Sequence, residues 1–207
     1  TLALHDALPI WAGTGNLTTR RREKLLSPSK PGLCAAFGAL LLLALVSCSG
    51  TPAHRNNAAA DSLLSQGRFE EAVDKYGEAI KFAPKLSTAY LGRAAAYIAL
   101  GQYKLAVEDA DKAISLEPWV AFGYNHKGLA LSYLGEYRQS QVFLDRAIEL
   151  DPNFPDSFNN RALLALRARQ WERAILDLDE AIRLDPRFGL AYANRACAYT
   201  LADQSEL

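Results

Sequence analysis

Methionine is absent from the 207 residues, cysteine and histidine occur three times each, and 23 basic residues meet 23 acidic ones. Each shortage excludes something. Three cysteines (Cys34, Cys48 and Cys197) cannot build a disulfide framework. His126 and His54 lie far in sequence from each other and from Cys197, so neither metal-ligand spacing nor a Cys–His nucleophile pair emerges. The charge balance lacks the basic excess of a nucleic-acid binder. A glycine-rich phosphate loop and a nucleophile elbow are both missing. The carboxylates are dispersed rather than paired. The sequence therefore predicts a non-enzyme with no catalytic residues, cofactor, metal site, nucleic-acid partner or small-molecule substrate.

A long membrane span is missing too. The apolar run from Leu33 to Val46 holds 14 residues without a charged or strongly polar one. A spanning helix needs about 20 apolar residues, whereas a run of about 10–14 suits the core of a signal peptide. Arg20, Arg21, Arg22, Lys24 and Lys30 precede it, against Asp6 and Glu23, and small residues follow. That order of parts is the order of a secretory leader. Leu45-Val46-Ser47-Cys48 resembles the bacterial lipobox, an aliphatic residue, a permissive one, a small one and cysteine. The resemblance implies that residues 11–47 are removed and that the Cys48 thiol receives a diacylglycerol. It places the chain in the bacterial cell envelope, anchored to a membrane by lipid. Ser49 in place of aspartate favours the periplasmic face of an outer membrane. The rival readings are an uncleaved anchor and, behind it, a buried core helix. Residues 1–10, TLALHDALPI, closely resemble the translation of a sequencing adaptor and are set aside from fold reasoning.

From Cys48 onward the charge turns slightly acidic, with 18 basic and 21 acidic residues. Residues 48–56 read as a polar tether that overlaps the first of a series of repeats. EAIKFAP, KAISLEP, RAIELDP and EAIRLDP end in one register, at Pro84, Pro118, Pro152 and Pro186, with the same interval between each and the next. Ala79, Ala113, Ala147 and Ala181 keep the interval, as do Tyr90, Tyr124, Phe158 and Tyr192. Gly67, Gly101 and Gly135 keep it until Arg169 breaks the line. Within each unit the apolar residues recur at helical spacing in two runs. Tyr90, Ala94 and Tyr97 share a face of a first helix (A), and Ala106, Ala110 and Ala113 a face of a second (B). Glycine suits the tight A–B turn, and proline ends helix B because it lacks an amide donor.

A helix–turn–helix unit repeated at this interval, about 34 residues, resembles the tetratricopeptide repeat (TPR). The units fall at 53–86, 87–120, 121–154 and 155–188, with a partial fifth at 189–207 that reads as truncated. The first is degenerate, having Asn56, Ala59 and Leu63 where the second has Tyr90, Arg93 and Tyr97. The resemblance implies an all-α, right-handed solenoid with a concave groove lined by the A helices, and a protein or peptide partner in that groove. Family geometry puts Phe122, Asn125, His126, Leu129, Asn159, Asn160, Leu163 and Asn194 on its wall. Asparagine amides both donate to and accept from an extended backbone; for any one of them, simple exposure to water is the competing reading. Arg93, Lys127, Arg161 and Arg195 form a further series, read preferentially as partners of helix-B acids and otherwise as a ladder for acidic ligands. The lysine–asparagine–arginine set of chaperone-tail clamps is missing, so no chaperone C-terminus is expected as ligand. The leading expectation is a lipid-anchored, non-enzymatic scaffold. The alternatives are the adaptor part of a longer envelope enzyme and a membrane-anchored co-chaperone.

Overall fold

The computed structural model describes residues 50–205, so Cys48, the apolar run and everything before it lie outside the described residues. Nine helices and no strands occur among those described: α1 (Pro52–Ser65), α2 (Phe69–Phe82), α3 (Ser87–Ala99), α4 (Tyr103–Leu116), α5 (Ala121–Tyr133), α6 (Tyr137–Leu150), α7 (Pro155–Arg167), α8 (Trp171–Leu184) and α9 (Gly189–Ser205). Odd-numbered helices are the A helices and even-numbered ones the B helices. Each A helix packs on the B helix that follows, each B helix on the next A, and successive A helices touch one another. This is the all-α solenoid that the repeat interval predicts. The first helix reaches into the expected tether, because Pro52 occupies its first turn and the Thr51 hydroxyl accepts from the His54 amide at 3.5 Å. Both are favourable at a helix start.

The turn residues act as the sequence suggests. Gly67, Gly101 and Gly135 have φ of 75°, 72° and 82°. In each turn an amide reaches back past the last full turn of helix A, as from Gln102 to the Tyr97 carbonyl at 2.8 Å, closing the helix end. Arg169, which interrupts the glycine series, adopts the same left-handed conformation at φ 57°. The turn geometry is thus set by packing, and glycine merely lowers its cost. At the ends of the B helices, Ala83, Glu117, Asp151 and Asp185 leave helical geometry with φ between −137° and −140°. Each precedes a series proline, whose ring disfavours the helical region for its neighbour. The proline and aromatic series are linked: Tyr90, Tyr124 and Tyr192 donate from their hydroxyls to the carbonyls of Pro84, Pro118 and Pro186, at 3.2, 3.1 and 3.4 Å.

Alanines fill the helix crossings, where Ala60, Ala72, Ala89, Ala106, Ala110, Ala162 and Ala174 have no accessible surface. Large side chains enter where the facing helix offers a glycine. Tyr76 of α2 is wholly buried against α3, and a Cβ on Gly92 would lie 2.2 Å from its Cζ. Leu144 of α6 meets Gly128 of α5 in the same way, where a Cβ would lie 2.7 Å from its Cγ. The Tyr76 hydroxyl donates to Asp61 Oδ1 at 2.7 Å, tying α2 to the degenerate α1. Burial raises the Asp61 carboxyl above its usual range, and that hydrogen bond partly opposes the rise.

Candidate functional site

The A helices of the third, fourth and fifth units carry the candidate residues, and their asparagines meet. Asn160 Nδ2 donates to Asn125 Oδ1 at 3.0 Å, from α7 to α5. Asn194 Nδ2 donates to Asn159 Oδ1 at 2.9 Å, from α9 to α7. Within α7, Asn159 Nδ2 is 3.4 Å from Asn160 Oδ1. The four amides form one chain across three helices. All four are at most 1% exposed, so none is a side chain that simply faces water. Their hydrogen-bonding groups are shared between units, which satisfies most of them in a place where an unpaired amide is costly. Two polar atoms here have no protein partner: Asn194 Oδ1 and His126 Nδ1.

His126 lies in α5 with its ring edge-on to Phe122, the centroids 6.4 Å apart. Only 4% of the residue is exposed, and burial pushes the imidazole down to about 4, so it is neutral at pH 7. It offers a hydrogen bond and no charge. Phe122 packs on Phe154 with the ring centroids 4.4 Å apart, remaining part-exposed. Leu129 joins a cluster with Ile98, Ala106 and Ala130, and Leu163 joins the core around Phe158 and Leu178. The structure therefore brings the four asparagines together, with His126 and Phe122 side by side on α5, and binds the two leucines into clusters between repeats. Sequence reasoning missed the pairing of the fifth position of one unit with the sixth of the next. A clue was available: Asn125 and Asn160, like Asn159 and Asn194, are 35 apart, one more than the period.

Profiles of repeat families match along this arrangement. One described as TPR repeat covers residues 60–101, and two described as tetratricopeptide repeat cover 87–118, 123–154 and 143–175. The chain is built of tetratricopeptide repeats. Solved TPR structures superpose on it. TTC0263, a thermophilic TPR protein of Thermus thermophilus, is similar over 78% of this chain and 88% of its own, with TM-score 0.66 and 19% identity. MamA is similar over 74% and 84%, with TM-score 0.58 and 23% identity. The first TPR of Spaghetti (RPAP3), solved bound to the HSP90 peptide SRMEEVD, is similar over 58% and 95%, with TM-score 0.54 and 22% identity. At these identities the likeness concerns the fold. No curated protein matches the sequence. TPR chains are protein-interaction scaffolds, and the fold is generally non-enzymatic.

The basic series of the TPR units is occupied internally. Arg93 makes a two-pronged pair with Asp109 at 2.7 and 2.8 Å. Lys127 reaches Asp111 at 2.6 Å, and Arg195 reaches Asp179. Arg161 grips Asp177 at 2.7 and 2.9 Å while its third nitrogen reaches Asp145 at 2.7 Å, bolting α6, α7 and α8 together. The Asp177 bonds raise the Arg161 guanidinium further above its usual value, against its partial burial. Arg161→Met is expected to cost about 2 kcal/mol in urea unfolding, because it strands Asp177. The loss stays below the ~3–5 kcal/mol of a fully buried pair, since the Arg161 side chain remains 21% exposed. Adding Asp177→Asn should recover part of it. No recovery in the double variant would show that the stranded charge is not the cause.

Proposed function

We propose that this chain is a lipid-anchored TPR scaffold that binds an extended peptide segment of a partner protein along α5, α7 and α9, beside a bacterial envelope membrane. The observation that carries the groove is the asparagine chain. Primary amides placed across three successive A helices, buried and bonded to one another, fix the register of the wall along which an extended backbone would lie. Asn194 Oδ1 and His126 Nδ1 are buried and without a protein partner, so this wall still holds two unmet hydrogen-bonding groups. Phe122 adds a part-exposed ring for an apolar side chain. The peptide held by the Spaghetti (RPAP3) domain supports this class of ligand, although the present chain lacks the clamp residues expected for a chaperone tail. The anchor rests on the lipobox-like Leu45–Cys48 and the basic and apolar segments before it. Confinement to a surface raises effective concentration, so a groove of modest affinity suffices. Among the described residues no helix is long and apolar enough to cross a membrane.

Two measurements test the two halves separately. Labelled palmitate should enter the wild-type chain in bacterial cells and be lost with Cys48→Ala; equal labelling would reject the anchor. Capture from envelope extracts should yield a partner whose recovery falls at least about tenfold with Asn125→Ala, Asn159→Ala and Asn160→Ala combined, since each change removes a hydrogen-bonding amide. Circular dichroism must show the variant folded. Unchanged recovery by a folded variant would remove the groove assignment.

A further inference from the structure

A second surface lies at the seam of the third and fourth repeats, built from other residues. A cleft of about 150 Å3 is lined by Arg138 of α6, Arg161 and Arg167 of α7 and Arg173 of α8, together with apolar side chains such as Tyr137 and Leu164. Asp145 and Asp177 neutralise Arg161. Arg167 donates to the Ser132 carbonyl at 2.8 Å and lies 5.2 Å above the Tyr133 ring. Both partners are uncharged, so its positive charge is not cancelled. Arg138 and Arg173 are exposed, and no ion pair to either is found among the described residues. Glu136 and Glu172 do not line the cleft. Helices α6 and α8 both start here, and neither N-cap, Glu136 or Gln170, makes a side-chain capping bond. Glu136 at the N-cap of α6 and Glu172 in the first turn of α8 offset these positive ends, so the field rests on the arginines. The α7 end contributes little opposing charge, since its last-turn carbonyls accept from Ala168, Arg169 and Gln170 amides.

An independent feature adjoins the cleft. The outward column of the B helices reads Asp74, Glu108, Val142, Leu176 at the repeat interval. It changes from acidic to apolar in the two units that hold the cleft. Val142 is 65% exposed and Leu176 69%. Each follows an arginine of the cleft by one helical turn, Val142 after Arg138 and Leu176 after Arg173, and so shares its face of the helix.

We propose that this seam docks an acidic segment of a protein partner, with a carboxylate in the arginine cleft and apolar side chains against the exposed Val142 and Leu176. A cleft lined by arginines, with an exposed apolar residue one turn further along each of the two B helices that border it, fits a carboxylate and an apolar neighbour on the same segment. An anionic membrane calls instead for a broad basic face, and the chain from Cys48 onward carries more acid than base.

The test is fluorescence anisotropy of the full chain with a labelled peptide of about twelve residues, rich in glutamate and leucine. Saturable binding is expected at about 50 mM salt, weakening about tenfold by about 300 mM as the charges are screened. Arg138→Glu with Arg173→Glu should weaken it at least about tenfold by like-charge repulsion. Val142→Ser with Leu176→Ser should weaken it about threefold. The same charge change on α4, Lys104→Glu with Lys112→Glu, should leave it unaltered. These positions are exposed, so the variants keep the fold. Failure of the wild type to saturate, or an equal loss in the α4 variant, overturns the proposal. Binding to phosphatidylserine vesicles in place of the peptide also overturns it. Because Asn125, Asn159 and Asn160 are not in the cleft, their combined alanine variant should bind the acidic peptide normally whatever becomes of the groove.

Discussion

Gly92→Ala is expected to destabilise the fold by about 3 kcal/mol, although alanine is the better helix former by about 1 kcal/mol. The added methyl would sit 2.2 Å from Tyr76 Cζ and 2.4 Å from Cε1. The ring cannot swing away cheaply, since Tyr76 is fully buried and its hydroxyl is held by Asp61. The cost reaches the upper part of the overpacking range for that reason. Gly77, in the middle of α2, supplies the contrast: a Cβ there meets only Arg93 Nη1, at 3.7 Å. Gly77→Ala should therefore stabilise the protein by about 1 kcal/mol. Leucine stands at 144 and 178, the places equivalent to Tyr76 in later units. Tyr76→Leu combined with Gly92→Ala should thus recover much of the loss. Urea unfolding of the set decides. A stabilised Gly92→Ala variant would mean that Tyr76 does not fill this space.

The second large effect depends on pH. In the folded chain burial holds His126 at about 4, against 6.5 when it is solvated. As pH falls, the unfolded chain takes up this proton first. The stability contributed by the neutral, buried ring is whole above about pH 7, declines below 6.5, and is gone near pH 4. A displacement of this size corresponds to about 3 kcal/mol, of which about 2 kcal/mol is lost by pH 5. His126→Asn, which places in α5 the residue that α7 has at the same position, should remove this component. The readout is the difference in unfolding free energy between wild type and variant at pH 7 and pH 5, because the carboxylates titrate in both. A difference independent of pH would show that the imidazole is solvated.

These effects separate what periodicity reveals from what it cannot. The four prolines, the aromatic series and the A–B turns are readable because each unit solves the same local problem with the same residue. The basic series is readable in part for a related reason: Arg93 meets Asp109, and Arg161 meets Asp177, inside a single unit. Lys127 and Arg195 instead reach back to Asp111 and Asp179 of the preceding unit, and Arg161 also reaches back to Asp145. Which acid is chosen between units depends on how one unit is rotated against the next, and the repeat interval does not encode this. Hence the entry of Tyr76 onto Gly92 and the burial of His126 come only from the assembled helices, and the offset pairing of the asparagines leaves just its 35-residue spacing in the sequence. The arginine cleft is hidden more thoroughly still. Arg138, Arg167 and Arg173 stand at three different places in the repeat, equivalent to Glu172, Tyr133 and Gln139 of the neighbouring units. Only the folded seam gathers them.

The asparagine chain has a kinetic consequence. The bonds that link its helices join residues 35 apart, little more than one repeat, and the Arg167–Ser132 bond has the same span. Contacts so close in sequence close small loops, which favours rapid folding. A stack held by nearest neighbours also frays from its ends instead of melting as a block. The amides of Asn125, Asn159, Asn160 and Asn194 are continuous only while three successive units are zipped together. A peptide lying along all three would therefore act as a splint, slowing the fraying of α9 most and leaving the first repeats to open at their own rate.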